Sequence, residues 1–128
     1  MVRAAGSLTV TTGAAAFVRG QDGSVVTWNR PAEGLLDAPA RDVIGRPCFD
    51  VLAGRDAFGN RHCSEWCAVW SLARRQEAVR PFPLEIQGSS GARLPVTVSV
   101  VALRSDGDRR PTLLHLLGGL DSATEGEV

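Results

Sequence analysis

Between Leu94 and Leu103 the chain alternates: Val96, Val98 and Val100 fall on one side, Thr97 and Ser99 on the other. Successive side chains of a strand point to opposite faces, so this period of two predicts a β-strand with one apolar face. The remainder of the chain has to cover that face. Two further apolar stretches flank the run. Phe82, Leu84 and Ile86 alternate with Pro81, Pro83 and Glu85. Proline cannot donate to a ladder, so this stretch belongs to an edge strand or a strand start. Residues 112–117 read as a last, strongly apolar strand. A turn at 88–91 and a charged turn at 104–110 join the three.

The N-terminal part carries a second hairpin. Residues 14–19 and 25–28 are short apolar stretches around Gln21-Asp22-Gly23-Ser24. Asp-Gly between apolar runs is a strong hairpin signal, because glycine accepts positive φ without steric cost. Helical signals fill the middle. Asn29 is a suitable N-cap and Pro31 suits a first turn, predicting a short helix over 32–36. Residues 39–43, stopped by Gly45, and 47–52 predict two more short helical pieces. Residues 53–62 read as a loop. Cys63, Trp66, Cys67, Trp70 and Ala73 recur at helical spacing, which predicts one longer helix over 63–78 with an apolar face. Hairpins at both ends and helices between them imply an α+β fold: a five-stranded antiparallel sheet with short helices and one longer helix on one face.

Length and charge narrow the function. At 128 residues the chain is one domain, large enough to bury roughly two-thirds of its unfolded surface without a metal or disulfides. Residues 1–12 and 119–128 read as flexible tails around a domain at 13–118. Fourteen basic residues, all Arg, balance fourteen acidic ones. Nucleic-acid binding needs a basic excess, so direct binding by this chain is not expected. No apolar run reaches the ~20 residues of a membrane span, and the start lacks a signal peptide's apolar core. The expected location is cytoplasmic.

The order of elements resembles the PAS domain family, in which such a sheet cups a small pocket under short helices. Residues 18–36, VRGQDGSVVTWNRPAEGLL, look like the family's opening hairpin, Asn and short helix. Residues 42–52, DVIGRPCFDVL, look like the segment that enters its helical part, and 91–101 resemble the long strand that completes it. Together these motifs lie within residues 13–118. The cysteine-bearing stretch from Cys48 through Cys63 to Cys67 is similar to bacterial PAS domains that precede a LuxR-type helix-turn-helix. Nothing after Thr112 resembles a helix-turn-helix, so DNA binding is not carried over. The resemblance implies a sensory domain of a bacterial signalling or transcription-regulatory protein. It would respond to a small ligand or redox state and act through a homodimer or a partner protein.

Two groups of residues are candidate sites. Trp28, Phe49, Trp66, Trp70, Val98 and Leu114 can line an apolar cavity, with Asn29, Thr97, Ser99 and His115 as polar groups that orient a ligand. The alternative is a filled core without a ligand. Cys48, Cys63 and Cys67 can hold a soft metal or an iron–sulfur cluster, completed by His62 or His115, because thiolates one helical turn apart project together. They can equally be buried core thiols or redox-sensing ones. The light-sensing relatives' photoreactive-cysteine motif is not reproduced, and flavin has no readable signature. Catalytic arrangements are poor. His62 and Cys63 are sequence neighbours that do not face each other, Asp50 and Asp56 read as solvated charges, and no phosphate-binding glycine loop is present. No enzyme is expected.

Overall fold

The structure, a computed structural model, describes residues 10–55, 58, 68–88, 91, 93–104 and 111–119. Most of the expected tails, most of the loop after Ala53, the first part of the longer helix and the 104–110 turn beyond Arg104 lie outside the described residues.

Strands β1 (Ala15–Arg19) and β2 (Val25–Trp28) form the first hairpin. Its turn closes through the Gly20 N–H donating to the Ser24 carbonyl at 2.8 Å. Gly23 takes φ +94° there, a conformation an L-residue rarely adopts. Helices α1 (Arg30–Leu36), α2 (Ala40–Val43) and α3 (Cys48–Leu52) follow at the places the caps and prolines predict. Then come α4 (Ala68–Arg74) and strands β3 (Phe82–Gln87), β4 (Arg93–Leu103) and β5 (Thr112–Gly119). All pairings are antiparallel, and the five strands lie in the order β2-β1-β5-β4-β3. The expected sheet, with several short helices, is what the chain forms.

Two boundaries differ from expectation. β5 runs past Leu117, with Gly119 opposite Val96. α4 stops at Arg74, four residues short, because Gln76 turns left-handed at φ 63°. The Glu77 N–H then reaches the Leu72 carbonyl and the Gln76 N–H the Ala73 carbonyl, a Schellman closure that ends a helix without glycine. β3 is an edge strand, as its prolines predict, and Arg55 lies along it as a single bridge to Glu85.

Register decides which face is buried. Phe17 opposes Trp28 and His115; Val98 opposes Phe82 and Leu117. These residues share the helix-covered face. The main cluster there joins Phe17, Val25, Trp28, Ile86, Val96 and Val98 to Ala32 and Leu36 of α1, Val43 of α2 and Leu52 of α3. Each fully buried large apolar side chain contributes about 1.5–3 kcal/mol. A smaller cluster joins Val69 and Ala73 of α4 to Leu113 of β5.

Asn29 stitches the first strand to the first helix. Its Oδ1 accepts from the Ala32 N–H at 3.0 Å, as an N-cap, and from the Ala16 N–H at 2.9 Å. Its Nδ2 donates to the Ala14 carbonyl at 2.9 Å. The side chain thus prolongs the β2 ladder beyond Trp28 and starts α1 at once.

Candidate functional site

Among the described residues the helix-covered face carries one buried polar side chain among its apolar ones. β5 points Leu113, His115 and Leu117 inward, and His115 is only 5% exposed. Its ring stacks on Phe17, with centroids 4.5 Å apart and planes 9° from parallel. Its cross-strand neighbour on β4 is Val100, which packs against both the main and the smaller cluster. His115 therefore stands at the seam between the sheet's main core and the docking surface of α4.

Arg19 is a cation whose charge bears on His115. It ends β1 opposite Leu113, on the same face as Phe17 and His115. Its guanidinium lies over the Trp70 ring of α4, 4.0 Å from the centroid, and its Nη1 donates to the Gly20 carbonyl at 3.0 Å. Guanidinium stacking of this kind fixes both partners with about 0.5–2 kcal/mol. At the far end of α4 the Arg104 guanidinium donates to the Ala73 carbonyl, where the negative end of the helix dipole favours a cation.

Burial pushes the His115 pKa down from 6.5 to about 4, and the charge of Arg19 adds to the fall. The nearby Leu113 backbone works the other way and offsets part of the fall. At neutral pH the imidazole is therefore uncharged. Its Nδ1 is buried and has no hydrogen-bond partner.

The other candidates fall in different places. Trp70 and Val98 share the helix-covered face with His115. Trp28 also lies there, but its indole N–H is engaged by the Ala38 carbonyl at 2.9 Å and its ring tilts against Phe17. Phe49, on α3, is half-buried against the main cluster. Leu114 stands on the opposite face, since neighbours in a strand alternate and His115 points inward. Thr97 and Ser99 alternate to that same outer face. Asn29 has its amide spent on Ala14, Ala16 and Ala32, so it braces the fold and does not line a pocket. Trp66, His62, Cys63 and Cys67 lie outside the described residues. Cys48 is half-buried and packs on the main cluster. Among the described residues no group of three His, Cys, Asp or Glu side chains is placed to hold a metal ion. Asp50 forms an exposed ion pair with Arg46 at 2.9 Å. Arg19 is the residue that sequence reading missed. It shares the parity of Ala15 and Phe17, and a charged residue on an inward-facing register is itself a signal.

A separate cleft of about 210 Å³ opens away from His115, between the ends of α1 and β3, with Val43, Arg46, Asp50 and Val51 among its walls. No helix among the described residues is long and apolar enough to cross a membrane.

The PAS domain family pattern matches residues 13–117. Solved structures of similar fold include the PAS domain of a Desulfitobacterium hafniense protein. It is 14% identical, covers 86% of this chain and 95% of that one, and has a TM-score of 0.61. The LOV domain of the Erythrobacter litoralis blue-light activated histidine kinase is 17% identical over 86% of this chain and 98% of that one, with a TM-score of 0.64. The Rhodobacter sphaeroides LOV protein is 12% identical over 98% of this chain and 73% of that one, with a TM-score of 0.70. At these identities the likeness is one of fold. No curated protein matches the sequence.

Proposed function

The chain belongs to the PAS domain family, and from that premise we propose that it is a non-catalytic sensory domain of a bacterial signalling or transcription-regulatory protein. It acts in the cytoplasm and reads a small ligand or a redox change on the helix-covered face of its sheet. The observation that carries this reading is the seam at His115. There a buried polar group, a stacked Arg19–Trp70 pair and a helix held by a small cluster meet. A molecule or an oxidised thiol that alters the seam changes how α4 sits on the sheet. Such a change can pass to a second copy or a partner as a shift between two packings. The redox arm of the proposal rests on the thiols, of which Cys48 packs on the core.

The test is to incubate the protein with a bacterial small-molecule extract, remove unbound material and weigh it by native mass spectrometry. Amide signals of Ala68–Arg74 are followed by NMR alongside, also after mild thiol oxidation. A retained added mass, or oxidation that moves those amides, is the expected result. A protein that keeps no mass and whose α4 stays put under both treatments is not this kind of sensor.

A second reading, a dimerisation module that needs no ligand, is favoured by the outer face. Val101 and Leu103 are 43% and 36% exposed on β4, opposite Leu114 and Thr112 of β5. Sedimentation of the wild type against Val101→Asp distinguishes the two. A dimer that the charge splits, in protein without any bound small molecule, supports the module.

A further inference from the structure

The cleft between the ends of α1 and β3 is a cavity separate from the inner face of the sheet. Leu36 of α1, Val43 of α2 and Val51 of α3 supply apolar walls, and Gln87 with Gly88 closes it past the end of β3. Among the described residues no inward-facing strand side chain lines it: Ile86 points into the core, and its neighbour Gln87 alternates away. Its volume of about 210 Å³ equals the share of about seven waters in the liquid. Pockets for large ligands run to about 300–1,000 Å³, so this one suits a smaller molecule than a flavin or a haem.

The rim carries one charge of each sign. Arg46 Nη2 donates to Asp50 Oδ2 at 2.9 Å, and the two side chains are 48% and 58% exposed. That bond uses one N–H of the guanidinium and one oxygen of the carboxylate, so each group keeps capacity for a second partner. An exposed pair of this kind stabilises the fold little, and opening it costs little. Charge then decides what gains most. A lone carboxylate pairs with Arg46 but meets Asp50, and a lone ammonium pairs with Asp50 but meets Arg46. An uncharged molecule gains from neither. A molecule with both groups close together exchanges one ion pair for two, because the guanidinium fork matches a carboxylate and Asp50 accepts from an ammonium. We propose that this cleft binds an apolar α-amino acid, with its carboxylate on Arg46, its ammonium on Asp50 and its side chain against Leu36, Val43 and Val51.

The test is an amide and methyl NMR titration of the intact chain at neutral pH with L-leucine, L-valine and L-phenylalanine. Glycine lacks the apolar body. The deaminated and decarboxylated analogue of each amino acid (for leucine, isocaproate and isoamylamine) lacks one charge. The amino acid that binds best should shift Val43, Val51 and Gln87 saturably, at least tenfold more tightly than glycine or either of its own analogues. Asp50→Asn should bring the deaminated analogue level with the amino acid, and Arg46→Met should do so for the decarboxylated one. Both positions are exposed, so neither variant disturbs the core. No saturable shift at the cleft with any of the three overturns the proposal, as does a single-charge analogue that binds as tightly as the amino acid. Shifts confined to His115 and α4 also overturn it, and leave the reading of the inner face untouched.

Discussion

A neutral histidine kept in the core gives the protein an acid limit. The folded His115 ring titrates at about 4 and the unfolded one at 6.5, so below 6.5 the unfolded chain binds a proton that the folded chain refuses. Stability is fully present above 6.5 and falls as the pH drops towards 4, by about 3 kcal/mol in all. Urea melts from pH 7 to 4 should show this slope in wild type and a flatter one in His115→Phe. Asn29 is the other residue whose single replacement reaches far. Asn29→Ala removes an N-cap and strands the Ala16 N–H. It should cost about 2 kcal/mol in chemical melts. Asn29→Asp, which keeps both accepted bonds and loses only the donation to Ala14, should cost less. The cap role of Asn29 was legible from its place before Pro31. Its grip on β1 was not, because nothing local says that residue 16 will lie beside residue 29. His115 was legible as a polar residue in an apolar strand. Grouping Leu114 with it ignored the alternation that puts the two on opposite faces.

At the level of elements, helix ends explain most of what was and was not readable. Glycine at 45 announces the stop of α2 (φ +95°), while α1, α3 and α4 end on Asp37, Ala53 and Gln76, all left-handed without glycine. No sequence signal marks the last of these, so the longer helix was read past Arg74. Ala53 holds φ 46° with a Cβ in place, a conformation that costs an L-residue on the order of 1 kcal/mol. Ala53→Gly should therefore raise the melting temperature by a few degrees, less the added freedom of the unfolded chain. α4 is the lightly held element. Its two buried side chains share a small cluster with Leu113, with Phe82 and Val100 packed against it, whereas β4 and β5 are paired along eight positions. Hydrogen exchange should show amides of 68–74 opening well before those of 96–101. Uniform protection across both would mean that α4 is part of the global unit and a poor relay.

Across the whole molecule, the strand order was implied only in part. Two hairpins and a proline-rich edge could be read from neighbouring residues, and they fix β2 beside β1 and β3 beside β4. The joining of β1 to β5 spans almost the full domain. It depends on Phe17 finding His115 and Ala15 finding Leu117, contacts that no local window contains. The same long-range closure brings Arg19, Trp70 and His115 together from three distant parts of the chain. Each outer edge of the sheet is covered at one residue by the helical connection itself. The Val25 N–H donates to the Arg46 carbonyl and its carbonyl accepts from the Gly45 N–H, and Glu85 exchanges both backbone bonds with Arg55. Pro83, two residues earlier on the same edge, offers no N–H at all. A sheet covered in this way is a poorer template for a neighbour's strand. Identical or related copies strung along one polypeptide, or crowded at high local concentration, then find less open strand edge to zip together, and contact between them shifts towards the faces.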